Sequence, residues 1–236
     1  MGNPSNATSD TNNNSNYLIK KPQFAFSYNN SKGTANWVSW QLNQSWLGNV
    51  DRQNNFRPDT SLPTGYYQVS SKEYKNSGYD RGHLTPSADR TKTARDNSAT
   101  FLMTNMIPQH PDNNREVWRE LEEYSRELVE QQRKELYIVA GPKGKTKTLA
   151  KGKLTVPAFT WKVILVLDKP GAGVKGVTAN TRTIAVMMPN SEAVNQTDWK
   201  DYRVSVDQVE KETGYDFFSN LPKSIQKQIE SRVDKQ

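Results

Sequence analysis

The chain contains no cysteine and only two histidines, His83 and His110. The first absence excludes disulfides, thiolate nucleophiles, iron–sulfur clusters and cysteine-ligated zinc. The second confines imidazole chemistry near neutral pH to two positions. Long apolar runs are missing too. The longest, Val163-Ile164-Leu165-Val166-Leu167, is far below the roughly 18 residues that span a bilayer, so no membrane partner is expected. The N-terminus lacks the basic-then-apolar pattern of a signal peptide. Met1-Gly2 ahead of Asn3-Pro4-Ser5-Asn6 reads as an initiator placed before a mature chain.

What the chain does carry is positive charge and aromatic bulk. Lys and Arg number 32 against 25 Asp and Glu, a net charge of +7 over 236 residues. This balance favours encounters with polyanions: nucleic acid, acidic polysaccharide or an anionic surface. With 33% hydrophobic residues and 6 tryptophans, the chain can bury a substantial core. Residues 1–16, rich in Asn, Ser and Thr, read as a disordered tail, followed by one domain over 17–236. Phe24, Phe26 and Tyr28 alternate, a turn follows at 29–33, and Trp37 to Leu42 continue, which predicts a hairpin. The stretch from Gly48 to Gly78 has no clear period and reads as loop. Asn113 with Glu116 has the form of a capping box opening a helix that runs to about Arg133. Residues 136–140, 159–167 and 183–188 read as strands, and helices are expected from Ser205, capped with Gln208, and after Pro222. Strands, one middle helix, more strands and terminal helices predict an α+β fold rather than alternating βαβ units.

The densest chemistry lies at Asp80-Arg81-Gly82-His83. A neutral, aimed histidine can take a proton from water. Glycine permits a tight backbone, and arginine offers a planar donor fork suited to phosphate. The combination suggests phosphodiester hydrolysis. On a helical wheel Asn114, Trp118, Glu122 and Arg126 share one arc, apart from a packing face of Val117, Leu121, Tyr124 and Leu128. An amide oxygen, a carboxylate and a guanidinium in a row suit a wall for Mg²⁺ and phosphate. Taken singly, these residues have commoner uses: a loop histidine bonded to backbone, a turn-forming aspartate, a solvated Glu–Arg face. Spacing alone leaves both readings open. His110, before Pro111, is the weaker histidine, and spacing gives no reason to select Arg52. The lysines at 143, 145, 147, 151 and 153 read as a solvated hairpin, with a backbone-binding strip as the alternative.

Together with Thr104-Asn105-Met106-Ile107-Pro108-Gln109, these motifs resemble the DNA/RNA non-specific endonuclease family from about Tyr17 to the C-terminus. The resemblance implies a ββα-metal (His-Me) finger within a single domain built on a central antiparallel sheet. It implies His83 as general base, Asn114 as the direct ligand of Mg²⁺ (with Mn²⁺ as a substitute), and Glu122 acting on the ion through water. Arg81, Arg126 and Arg52 match phosphate-contacting arginines, Asn105 a residue that supports the histidine, and Asp80 an anchor rather than a base. DNA and RNA, single- or double-stranded, are the implied substrates, cut to leave 5′-phosphate ends. The resemblance also implies a secreted or periplasmic enzyme. An enzyme so unselective endangers its own cell, so a protein inhibitor is an expected partner class. Two rivals stand beside this reading: a nucleic-acid binder that has lost cleavage, and a sequence-specific nuclease on the same finger. No recognition helix or zinc-finger spacing supports the second.

Overall fold

The computed structural model describes residues 1–236. Strands β1 (Tyr17–Lys20), β2 (Ala25–Asn29) and β3 (Thr34–Leu42) come first, then β4 (Asp80–His83), α1 (Ala94–Ala99), β5 (Met106–Gln109) and α2 (Trp118–Glu130). Next come β6 (Glu135–Lys143), the small hairpin β7 (Lys147–Leu149) and β8 (Leu154–Val156), and the long strands β9 (Phe159–Leu167) and β10 (Arg182–Pro189). A two-residue strand β11 (Arg203–Val204) and helices α3 (Val206–Thr213) and α4 (Lys223–Glu230) close the chain.

Seven strands form one antiparallel sheet in the order β1-β2-β3-β6-β9-β10-β11. Its strands read as nearly continuous apolar runs because both faces are covered. On β9, Ile164 and Val166 join the core under α2, while Val163 and Leu165 join the core under α3 and α4. Each fully buried Val, Leu or Ile contributes about 1.5–3 kcal/mol. Cores of 27 and 15 buried residues are therefore large enough for the first to carry a buried charged side chain. The period-2 alternation of β9 places Lys162 on the α2 side. That position matters for the site.

The finger rests on this first face. β4 and β5 pair antiparallel, with Asp80 opposite Gln109, Gly82 opposite Ile107 and His83 opposite Met106. Gly82 is required by proximity, because a Cβ there would fall 2.0 Å from Gln109 Oε1 and 2.6 Å from its Cβ. A π-helical turn over Asn113–Val117 then leads into α2. The expected packing face holds: Val117, Leu121 and Leu128 are buried and Tyr124 packs against them.

Two expectations are corrected, and one short helix went unread. The capping box does not form. Asn113 is buried, its Oδ1 accepts from Thr160 Oγ1 at 3.2 Å and its Nδ2 donates to the Pro189 carbonyl at 2.8 Å. Glu116 instead accepts from the Gln196 amide at 3.2 Å. Asn113 is thus a sheet-to-helix tie, and a wide turn takes the place of a cap. Residues 1–16 are packed rather than free. Ala7 is buried in the second core, the Trp37 indole donates to Ser5 Oγ at 2.8 Å, and Asn3 closes a turn through both ends of its amide onto Ala7. A polar composition misleads here because short Asn and Ser side chains satisfy the backbone locally, while one alanine plugs the core. The short helix α1 had no visible period at six residues.

Candidate active site

His83 ends β4 in an aromatic collar. Its ring lies edge-on to Phe101 at 5.0 Å and to Phe56 at 5.7 Å between centroids. Nε2 is sealed from solvent without a partner, whereas Nδ1 makes no hydrogen bond within the chain and keeps contact with the outside. Two arginines flank the collar. The Arg52 guanidinium sits 4.9 Å over the Phe101 ring, and that of Arg81 sits 4.0 Å over Phe56. Arg52 is also held by Ser87 Oγ at 2.6 Å and by Asn54 Oδ1 at 2.9 Å, so its fork is already aimed. Burial, reinforced by Arg52 and Arg81, pulls His83 down to about 3. The ring is therefore neutral at physiological pH and able to accept a proton.

The turn after His83 is clamped by Asn105. Its Oδ1 accepts from the Thr85 amide at 2.9 Å, and its Nδ2 donates to the carbonyls of Thr85 and Thr100 at 2.8 and 2.9 Å. The Trp118 indole reaches the His83 carbonyl at 3.3 Å and joins the start of α2 to the histidine strand.

Asp80 and Asn114 form the second half. Asp80 accepts from Asn114 Nδ2 at 2.9 Å and from Arg115 at 2.7 and 2.8 Å. An ionised carboxylate accepts only, so this contact fixes the amide with its nitrogen toward Asp80 and leaves the lone pairs of Oδ1 free. Burial works against the Asp80 charge, but hydrogen bonds from Arg115 and Asn114 hold its carboxyl below the usual range. Two turns along α2, Glu122 accepts no hydrogen bond, and its Oε1 lies 3.9 Å from Lys162 Nζ. Burial pushes Glu122 up to about 7, against the pull of Lys162 and Arg126. The same burial draws Lys162 down to about 8. Arg126 is paired with buried Asp89 at 3.1 Å, and Asp89 also accepts from the Trp40 indole at 2.9 Å.

The Asn114 amide oxygen accepts no hydrogen bond, and the Glu122 carboxylate, facing Lys162, accepts none either, so both offer hard oxygen ligands. That set fits a divalent ion such as Mg²⁺, which keeps several waters and needs few protein ligands. His83, Arg81, Arg52, Asn105, Asp80, Asn114, Glu122 and Arg126 all belong to this one connected region. His110 stands apart, edge-on to Tyr79 at 6.4 Å and 3.7 Å from Asp112. Sequence reasoning missed Lys162, whose ammonium packs 4.0 Å over the Trp118 ring at 1% exposure. A single charge inside the apolar run of β9 was the available signal. Asp89 and the collar residues Phe56 and Phe101 gave none.

A ββα unit that brings a buried neutral histidine together with two arginines points to the class of nucleases, and its relatives confirm it. The chain belongs to the DNA/RNA non-specific endonuclease family, whose profile matches residues 1–224. It is 62% identical to a nuclease of Nostoc sp. over 99% of this chain and 85% of that protein. It is 32% identical to the mitochondrial nuclease EXOG of Danio rerio over 84% of this chain, spanning 59% of that longer protein. Among solved structures, EndoG from the EndoG/EndoGI complex superposes with a TM-score of 0.75 at 25% identity, covering 90% of this chain and 88% of that one. The expected α+β fold on a central antiparallel sheet is borne out, as is the expectation of a nuclease acting on DNA and RNA.

Proposed function

We propose that this nuclease hydrolyses the phosphodiester bonds of DNA and RNA, single- or double-stranded, with His83 as the general base. The neutral ring takes a proton from an attacking water through its accessible nitrogen. Arg52 and Arg81 face the phosphate, and their aimed guanidiniums stabilise the charge that gathers on its oxygens. Arg126, tethered by Asp89, keeps a third positive charge beside Glu122. Asn114 Oδ1 would hold a divalent ion directly and Glu122 through water. When bound, that ion, Mg²⁺ with Mn²⁺ as a substitute, supplies Lewis-acid stabilisation of the phosphate. Asp80 keeps the amide oxygen turned outward, and Asn105 keeps the histidine loop in register. Because water is the nucleophile, no 2′-hydroxyl is needed and both sugars serve. Departure of the 3′ oxygen leaves a 5′-phosphate.

The observation that carries this reading is that the strand ending in the uncharged His83 also carries Asp80, which engages the Asn114 amide nitrogen and leaves its oxygen without a partner. EndoG was solved in complex with EndoGI, which inhibits it, and a protein inhibitor is the partner proposed here beside the nucleic acids. A secreted or periplasmic location suits so unselective an enzyme. The test is incubation with supercoiled DNA and with RNA, with and without EDTA. Both substrates are degraded, chelation stops the reaction, and added Mg²⁺ restores it. His83→Ala lowers the rate by about 10²–10⁴-fold with the fold intact. Asn114→Ala raises the Mg²⁺ requirement. Parental rates in both variants overturn the assignment.

A further inference from the structure

On the sheet face opposite His83, α3 and α4 lie together over the second core, which takes Val206 and Val209 from one and Ile229 from the other. Their carboxylates converge. Asp207 and Glu210, three residues apart on α3, share one side of that helix. Glu230 reaches them from the end of α4, and one oxygen from each lies within 4.8 Å of the other two. Asp207 is exposed and Glu210 half-buried, with Glu210 Oε1 accepting from the Phe217 amide at 2.6 Å. Glu230 is different. It is 5% exposed, its Oε1 is sealed from solvent, and no group of the chain donates to it. The exposed Lys223 ammonium, the cation nearby, sits 3.7 Å from Asp216 instead. A buried carboxylate oxygen without a partner is unfavourable, and it is more so beside two other carboxylates. The Glu230 carboxylate nevertheless stands among them, with an oxygen within 4.8 Å of each.

We propose that Asp207, Glu210 and Glu230 hold a divalent cation, Ca²⁺ in preference to Mg²⁺, that ties α3 to α4 behind the sheet. The donors are all oxygens, which selects a hard ion. Three carboxylates at one site suit Ca²⁺, which takes about six to eight oxygen ligands, whereas Mg²⁺ keeps several waters and is usually held by only one or two carboxylates. Exposed Asp207 leaves the outer side open for the waters that complete the coordination. The site is separate from the catalytic ion and acts on stability.

The experiment uses the full chain carrying Asn114→Ala, so that the catalytic ion does not contribute. CaCl₂ at about 5 mM raises its Tm by about 2–6 °C, because an ion that binds only the folded state shifts the equilibrium toward it. MgCl₂ gives a smaller rise. Adding Glu230→Gln or, separately, Asp207→Asn removes the calcium response. The second change lies on the surface and spares folding. In the otherwise unaltered enzyme, both leave Mg²⁺-supported cleavage within about twofold. A Tm indifferent to CaCl₂, or a rise that survives both substitutions, overturns the proposal and leaves Glu230 as a buried neutral acid.

Discussion

A histidine enclosed by two phenylalanine rings and faced by two guanidiniums is held neutral, and it stays a weak base until the charge of those guanidiniums is offset. Burial, with Arg52 and Arg81, depresses His83 to about 3, against about 6.5 for a free imidazole. The sign for stability follows from proton binding. Between those two values the unfolded chain holds a proton that the folded chain refuses, so stability rises with pH across that window and is lost as pH falls below 6.5. The sign for catalysis is the same, since only the neutral ring can act as base. A phosphate bound between the arginines offsets their charge and moves the ring back toward its free value. The acid limb of kcat, which reports the substrate-bound enzyme and is measured from pH 4.5 to 8 at saturating Mg²⁺, is therefore expected below pH 6.5. An acid limb at or above pH 7 would remove His83 as the titrating base.

At the scale of elements, the finger works because a strand and a helix each fix the other's functional atom. Asp80 on β4 orients Asn114 in the turn before α2, and the Trp118 indole on α2 holds the His83 carbonyl. Residues that orient a metal ligand typically contribute about 10–100-fold to metal affinity. Asp80→Ala is expected to raise the Mg²⁺ concentration for half-maximal cleavage by about that factor. Arg115→Ala, which removes only the exposed partner of the same carboxylate, is expected to change it by less than about threefold. Equal effects would mean that Asp80 acts through Arg115 and not through the amide. The finger also shows what a sequence reveals of such an element. The wheel over α2 separated Glu122 and Arg126 from Val117, Leu121 and Leu128 because one 3.6-residue period governs both faces. It could not reveal that Asn113 bonds to Thr160 and Pro189, since those partners lie 47 and 76 residues away on other strands. Nor could it place Lys162 against Trp118. The single charge in β9 was visible, but the partner across the core was a matter of tertiary packing. His83, Arg81 and Asp80 were legible because they are contiguous, whereas Asp89, Phe56 and Phe101 reach the site only through the loops that fold around it.

For the molecule as a whole, the net charge of +7 is a statement about encounter with substrate, and its value depends on where the charge sits. The basic run divides in two. Lys143 is committed, donating to the Glu212 carbonyl at the C-terminal end of α3. Lys145, Lys147, Lys151 and Lys153 stay exposed on and around the β7–β8 hairpin, and Lys147 packs 4.7 Å over the ring of Tyr79, the residue just before Asp80. The hairpin therefore borders the finger. Phosphate contacts release counterions, so each one contributes about 0.9 to the slope of log affinity against log salt on duplex DNA. Replacing all four lysines with glutamine in the His83→Ala background, where substrate stays intact, is expected to weaken DNA binding at 50 mM salt. If two of them meet phosphate, the slope flattens by about 1.8. The effect should be the same for unrelated sequences, because backbone contacts position without reading bases. In the parental enzyme the same replacement should raise KM while leaving kcat within about twofold, since none of the four reaches the reacting phosphate. An unchanged salt slope would make the hairpin ordinary solvated surface and move the work of substrate capture to Arg52, Arg81 and their neighbours on the finger itself.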